Sequence, residues 1–174
     1  ASERGIMATL LAVIAYVLSN LGVFAVIITY AIAPNRAKAR NIADFTGAYE
    51  RAPFAALVMT VCLLSLAGSP GTAGFMGKVW LFQTAIEADS LWLAGVGVLN
   101  CVLSLGYYWK IIRAMYFMTP EDERPVRLSL IGRSQSALTV ALSVTLGGVL
   151  LLGVFPGVIL PWLRAAVQVF FAAG

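Results

Sequence analysis

The chain has 174 residues, 60% hydrophobic and 11% charged, with 12 Lys+Arg, 8 Asp+Glu and no His. Ordinary soluble domains carry about 45–50% apolar and roughly 25% charged residues, so a water-soluble enzyme, a disordered chain and a nucleic-acid-binding domain with a basic face are all excluded. With no His, and with Cys62 and Cys101 each inside an apolar run, no metal site is expected and both thiols read as small buried hydrophobes. The composition is that of a polytopic membrane protein.

A hydrocarbon core of about 30 Å needs roughly 20 apolar residues in helix. Residues 6–33 form the first such span, free of charge and ended by Pro34. The stretch before it lacks an initiator Met, and the apolar run itself is too long for a signal-peptide core and lacks a cleavage region, so the sequence reads as a piece of something longer or a processed product. The second span, 53–88, is too long and is interrupted. The third runs over 91–118, with a basic end. The fourth covers 135–155, and Pro161 precedes a short amphipathic tail at 162–171. The whole is one transmembrane domain of about four helices.

Charge sorts the connections. Arg36, Lys38, Arg40 and Arg51 follow the first span, and Lys110, Arg113, Arg124, Arg127 and Arg133 follow the third. The opposite side holds only Arg4 and Arg164, with Glu87 and Asp89 in the turn between spans two and three. The positive-inside rule therefore puts both basic loops in the cytoplasm and both chain ends outside. Residues 42–49 read as a short interfacial helix, and 119–125 as a solvated turn.

The second span holds the chemistry. Residues 53–67 are a clean helical run; then Gly68, Pro70, Gly71, Gly74 and Gly77 follow in quick succession. At about 1 kcal/mol per Gly and about 3 per Pro, a continuous helix is poor here. A break near 68–77 is expected, and freed backbone groups in lipid must find protein or cavity water. Lys78 follows at once. With Glu87 at one interface, nine residues at ~1.5 Å each put Lys78 about 13 Å deep, close to the middle of the core. A lysine there costs about 2.5–3.5 kcal/mol on insertion and cannot snorkel out. It should face the bundle interior.

Two readings of Lys78 stay open from the residues alone. Desolvation disfavours its charged form, which suits a proton or ion relay. Alternatively it is a structural lysine bonded to carbonyls freed at the break. Gly71 and Gly74, seven and four residues earlier, would share its face and let a helix or water approach. No acid of this chain has a claim to pair with it. Thr72, Gln83 and the mid-span Asn20 are the candidate polar or water-ordering partners.

The stretch 65–78 (Ser-Leu-Ala-Gly-Ser-Pro-Gly-Thr-Ala-Gly-Phe-Met-Gly-Lys) resembles the twelfth transmembrane segment of the antiporter-like subunits of respiratory complex I, the proton-pumping NADH–quinone oxidoreductase. Residues 15–24 are similar to that family's eleventh segment and 105–117 to the end of its thirteenth. The Thr-Ala-Gly-Phe-x-Gly-Lys form, with Tyr107-Tyr108 later, points to the subunit N branch. The resemblance implies the C-terminal part of a 14-helix all-α antiporter-like fold, in which Lys78 is the proton carrier of the second half-channel. It implies NADH, FMN, iron–sulfur clusters and quinone in other subunits and no cofactor in this chain. Partners would be the other membrane-arm subunits, antiporter-like ones included, in a bacterial inner membrane. The acid and lysines of the family's first half are not in this chain, so it is expected to be a fragment or one piece of a split subunit. The related subunit of a multisubunit sodium/proton antiporter shares the broken helix and the lysine and is the alternative within this resemblance. A purely structural membrane fragment is the other.

Overall fold

The computed structural model describes residues 3–31, 41–118 and 133–172, the last stretch with side chains from 137 to 169. Arg36, Lys38, Arg40, Arg124, Arg127 and the charged turn at 119–125 lie outside the described residues. Among those described, every regular element is helical: α1 (Glu3–Ala31), α2 (Ala48–Arg51), α3 (Pro53–Ala67), α4 (Ala73–Glu87), α5 (Leu91–Phe117), α6 (Arg133–Val154) and α7 (Leu160–Ala172).

Helices α1 and α5 and residues 137–154 of α6 are long and apolar enough to cross a membrane. At 15 residues each, α3 and α4 are only about 22 Å long and cannot cross separately. They make one interrupted span. The amphipathic tail begins earlier than its sequence suggests. Pro161 sits inside the first turn of α7, where its missing N–H costs no hydrogen bond.

Helix α1 is the hub and packs on α3, α4, α6 and α7. Small residues set those approaches, as membrane interfaces require when hydrophobic force between helices is absent. A methyl group added at Gly77 would lie 2.8 Å from Ala12 Cα, and one at Gly148 would lie 2.7 Å from Leu18 Cδ2. Gly22 abuts Cys62 Sγ. The core between α1, α3, α5 and α6 is built from Val26, Val58, Met59, Cys62, Met115, Leu142 and Val149. Helix α5 instead exposes Trp92, Val96, Leu99, Val102 and Leu103, an apolar face that suits lipid or a neighbouring subunit.

Residues 41–52, just ahead of α3, are tied to the bundle. Residues 42–45 form a single 3-10 turn, and α2 follows after Gly47, which is left-handed at φ 65°. Gly47 N–H donates to Ala114 O of α5 at 3.2 Å, and Tyr30 Oη donates to Ala48 O at 3.2 Å. Tyr49 stacks on Tyr116 with centroids 5.0 Å apart. The expected interfacial helix is thus two short turns docked on α1 and α5. Arg51, expected in a solvated basic loop, is 4% exposed; its Nε and Nη2 have no partner among the described residues.

Candidate functional site: a lysine on the broken helix

The break spans 68–72, narrower than the composition suggests. Gly68 ends α3 in the left-handed region (φ 91°, ψ 42°), a conformation open to glycine at no steric cost. Its N–H donates to Ser65 O at 3.0 Å, and Ser69 N–H donates to Leu64 O at 2.9 Å. This is the Schellman arrangement, which satisfies two of the four orphan carbonyls of a helix end. The two that remain are Leu66 O and Ala67 O. Lys78 Nζ takes both, at 2.6 and 3.1 Å. The ammonium therefore caps α3 from a position eleven and twelve residues downstream, at the end of the helix where the dipole favours a cation.

Helix α4 starts at Ala73, so Gly74 and Gly77 are helical rather than part of the break. Their role is close contact. Gly77 meets α1 at Ala12, and Gly74 lies against Ser65 O. The expected sharing of one helical face by Gly71 and Lys78 does not hold, because Gly71 lies in the break at φ 84°. What approaches α4 across Gly74 is the end of α3.

The start of α4 is held by a hydroxyl of α3. Gly74 N–H donates to Ser65 Oγ at 3.1 Å, and Ser19 Oγ of α1 lies 2.8 Å from both Ser65 Oγ and Ala15 O. Ser19 and Ser65 are both fully buried. Ser65 does not stand out in the sequence, since a lone serine in an apolar helix carries no pattern. Its spacing of nine residues before Gly74 becomes meaningful only once the chain folds back.

The expected polar partners scatter. Thr72 is buried and donates its Oγ1 proton to Ser69 O at 2.7 Å, bracing the break itself. Asn20 Nδ2 donates to Tyr16 O of its own helix at 2.9 Å. Gln83 is exposed and faces Glu87 Oε1 at 3.4 Å. Neither Asn20 nor Gln83 hydrogen-bonds Lys78. Glu87 instead forms an exposed pair with Arg4 at 3.9 Å.

Lys78 lines a groove of about 320 Å³ between α1, α3 and α4, walled mostly by apolar side chains with Thr9, Tyr16 and Ser65 among them. An ammonium has three donors; two meet carbonyls, which leaves one for whatever enters the groove. Between residues 53 and 86 Lys78 is the one charged side chain. Chemically the site can hold a proton, present it to a groove, and couple its charge to the geometry of a helix end.

A polytopic helical bundle with an interrupted span and a lysine at the interruption defines a class, the antiporter-like membrane proteins. Residues 1–104, which include the break and Lys78, match the family described as NADH:quinone oxidoreductase/Mrp antiporter, transmembrane region. The chain belongs to that family. It is 34% identical over 170 residues to "NADH-quinone oxidoreductase subunit N" of Desulforamulus reducens, covering 98% of this chain and 34% of that protein. It is 43% identical over 116 residues to "F(420)H(2) dehydrogenase subunit N" of Methanosarcina mazei, covering 67% of this chain and 22% of that protein. Its fold superposes on a chain of respiratory complex I from Thermus thermophilus solved with bound aureothin, with a TM-score of 0.72 and 29% identity, over 90% of this chain and 34% of that one. The chain spans about a third of the length of the curated relatives it matches.

Proposed function

We propose that this chain is the C-terminal, proton-translocating part of subunit N of an NADH–quinone oxidoreductase, and that Lys78 carries the proton of its second half-channel. The observation that carries the reading is the bonding of Lys78. A single cation sits on the carbonyl end of a half-helix and beside a groove, with no acid among the described residues bonded to it. A permanent ion pair would fix the charge; two backbone carbonyls hold the protonated amine while leaving it able to let go. Charge changes elsewhere in the complex would alternate Lys78 between the capped, protonated state and one that releases its proton to the groove.

On this reading the oxidoreductase activity belongs to the whole assembly. NADH, FMN, iron–sulfur and quinone chemistry resides in other subunits, and this chain contributes charge movement. Its partners are the remaining membrane-arm subunits, other antiporter-like ones among them. The membrane is an energy-transducing one, the bacterial inner membrane, with the basic loops cytoplasmic and both chain ends outside.

The test is Lys78→Met in the full-length parent protein within its assembled complex, reconstituted in proteoliposomes. Protons moved per NADH oxidised and coupled quinone reduction should both fall steeply. If both stay at the parent level in a fully assembled complex, Lys78 is not on the proton path. The same bonding favours a second reading, in which Lys78 only caps α3. That reading expects the variant to lose assembly while whatever complex does assemble pumps normally. Exchange that depends on sodium and proceeds without NADH would instead favour a multisubunit sodium/proton antiporter.

A further inference from the structure

The two halves of the broken span are joined by more than the loop between them, and the second joint is made by a group outside the proton-carrying step itself. Ser65 lies in the last turn of α3, one residue before the first carbonyl that Lys78 grips. Its hydroxyl accepts the Gly74 N–H, one of the orphan donors at the start of α4. Gly74 is four residues before Lys78, so the two lie on one face of α4. The same hydroxyl lies 2.8 Å from Ser19 Oγ, which in turn lies 2.8 Å from Ala15 O. Three helices thus meet at one pair of buried hydroxyls.

Geometry makes this pair decisive for the lysine. Lys78 reaches the Leu66 and Ala67 carbonyls through a flexible four-carbon stem. The stem sets reach but not register; register is set by how α4 is rotated and seated against the end of α3. Gly74, with no side chain, lets its backbone come against Ser65 O, and the N–H to Oγ bond fixes the angle of that approach. Ser19 holds Ser65 Oγ from the side of α1, the wall of the groove that also carries Tyr16.

We propose that Ser65, braced by Ser19, is a positioning residue for proton transfer at Lys78: its hydroxyl locks α4 to α3 so that the ammonium meets both free carbonyls. This rests on Lys78 being the proton carrier, and the test separates the two ideas. The full-length parent protein, in its assembled complex in proteoliposomes, is compared as Ser65→Ala, Ser65→Cys, Ser19→Ala and Lys78→Met. Turnover of NADH and protons moved per NADH are measured together, with the amount of assembled complex.

Cysteine fills the space of serine, with a somewhat larger atom, but is a weak acceptor. Ser65→Ala and Ser65→Cys should both lower the proton ratio about threefold or more, since small misplacements of a reacting group are costly, with NADH turnover falling in the same direction as in Lys78→Met but less far. Ser19→Ala should lower it less, and the Ser19→Ala, Ser65→Ala pair should match Ser65→Ala alone. A Ser65→Cys protein that pumps like the parent means that Ser65 only fills space, and overturns the proposal. Should Ser65→Ala and Ser65→Cys not assemble, Ser19→Ala decides: an unchanged proton ratio overturns the proposal. If Lys78→Met abolishes pumping while the serine variants pump normally, this proposal alone fails. If Lys78→Met pumps normally, the carrier reading fails first and Ser65 has nothing to position.

Discussion

The two half-helices of the interrupted span end on the same main-chain pattern and differ in what takes the last carbonyls. At the end of α3, part-buried in the bundle, the last four carbonyls are all taken by protein: two by the N–H groups of Gly68 and Ser69 and two by the ammonium of Lys78. At the end of α4 the same pair of N–H bonds recurs without a cation. Ala88, Asp89 and Ser90 donate to Thr84, Ile86 and Ala85, and exposed Glu87 and Asp89 sit beside them. Asp89 even adopts φ 55° without being glycine. The difference is the solvent. Where water reaches, a helix end can leave carbonyls to solvent and tolerate a strained residue. In hydrocarbon each carbonyl needs a partner, and an otherwise unfavourable cation becomes the partner that fits.

The largest expected effect comes from removing that cation. Lys78→Met leaves two part-buried carbonyls bare at up to about 1–3 kcal/mol each, so besides losing proton transfer the assembled complex should melt measurably earlier in detergent. Equal melting would mean that water replaces the ammonium and that the break is wetter than its groove implies. Next is Gly74→Ala, whose methyl would press on Ser65 O. Overpacking costs about 1–3 kcal/mol, and here it should also lower the proton ratio; intact pumping would show that α3 and α4 need not touch. Gly68→Ala should cost about 1–2 kcal/mol for the left-handed backbone and, with its methyl 3.0 Å from Lys78 Cδ, shift pumping modestly. At the water-facing end, Asp89→Gly should stabilise by up to about 1 kcal/mol, since glycine adopts that φ freely, and leave pumping unchanged. Any loss of pumping there would give the turn after α4 a role that the comparison denies it.

Much of this architecture is legible in the residues. Long apolar runs mark the helices, and the crowding of Gly and Pro at 68–77 announces a break with a lysine at its edge. The limits of the break are not legible, because glycine has two uses in a membrane. At Gly68 and Gly71 it permits a positive φ; at Gly74 and Gly77 it lets helices touch. Only the tertiary neighbours decide which applies. The acceptors of Lys78 are legible in kind, as carbonyls freed at the break, but which carbonyls they are is not, since the main chain is the same in any sequence. Ser65 stays hidden because the fold alone brings it to Gly74. Gln83 and Asn20 draw notice as large polar groups at depth, but each satisfies itself locally on its own helix.

One contact bears on how a device built this way would move. Gly153 of α6 lies against the backbone of Gly71 and Thr72, with no space for even a methyl group. The loop is walled on that side by an unyielding main chain. Any swing of residues 68–72 is barred toward α6. A fixed backstop of this kind narrows the directions in which the loop can travel.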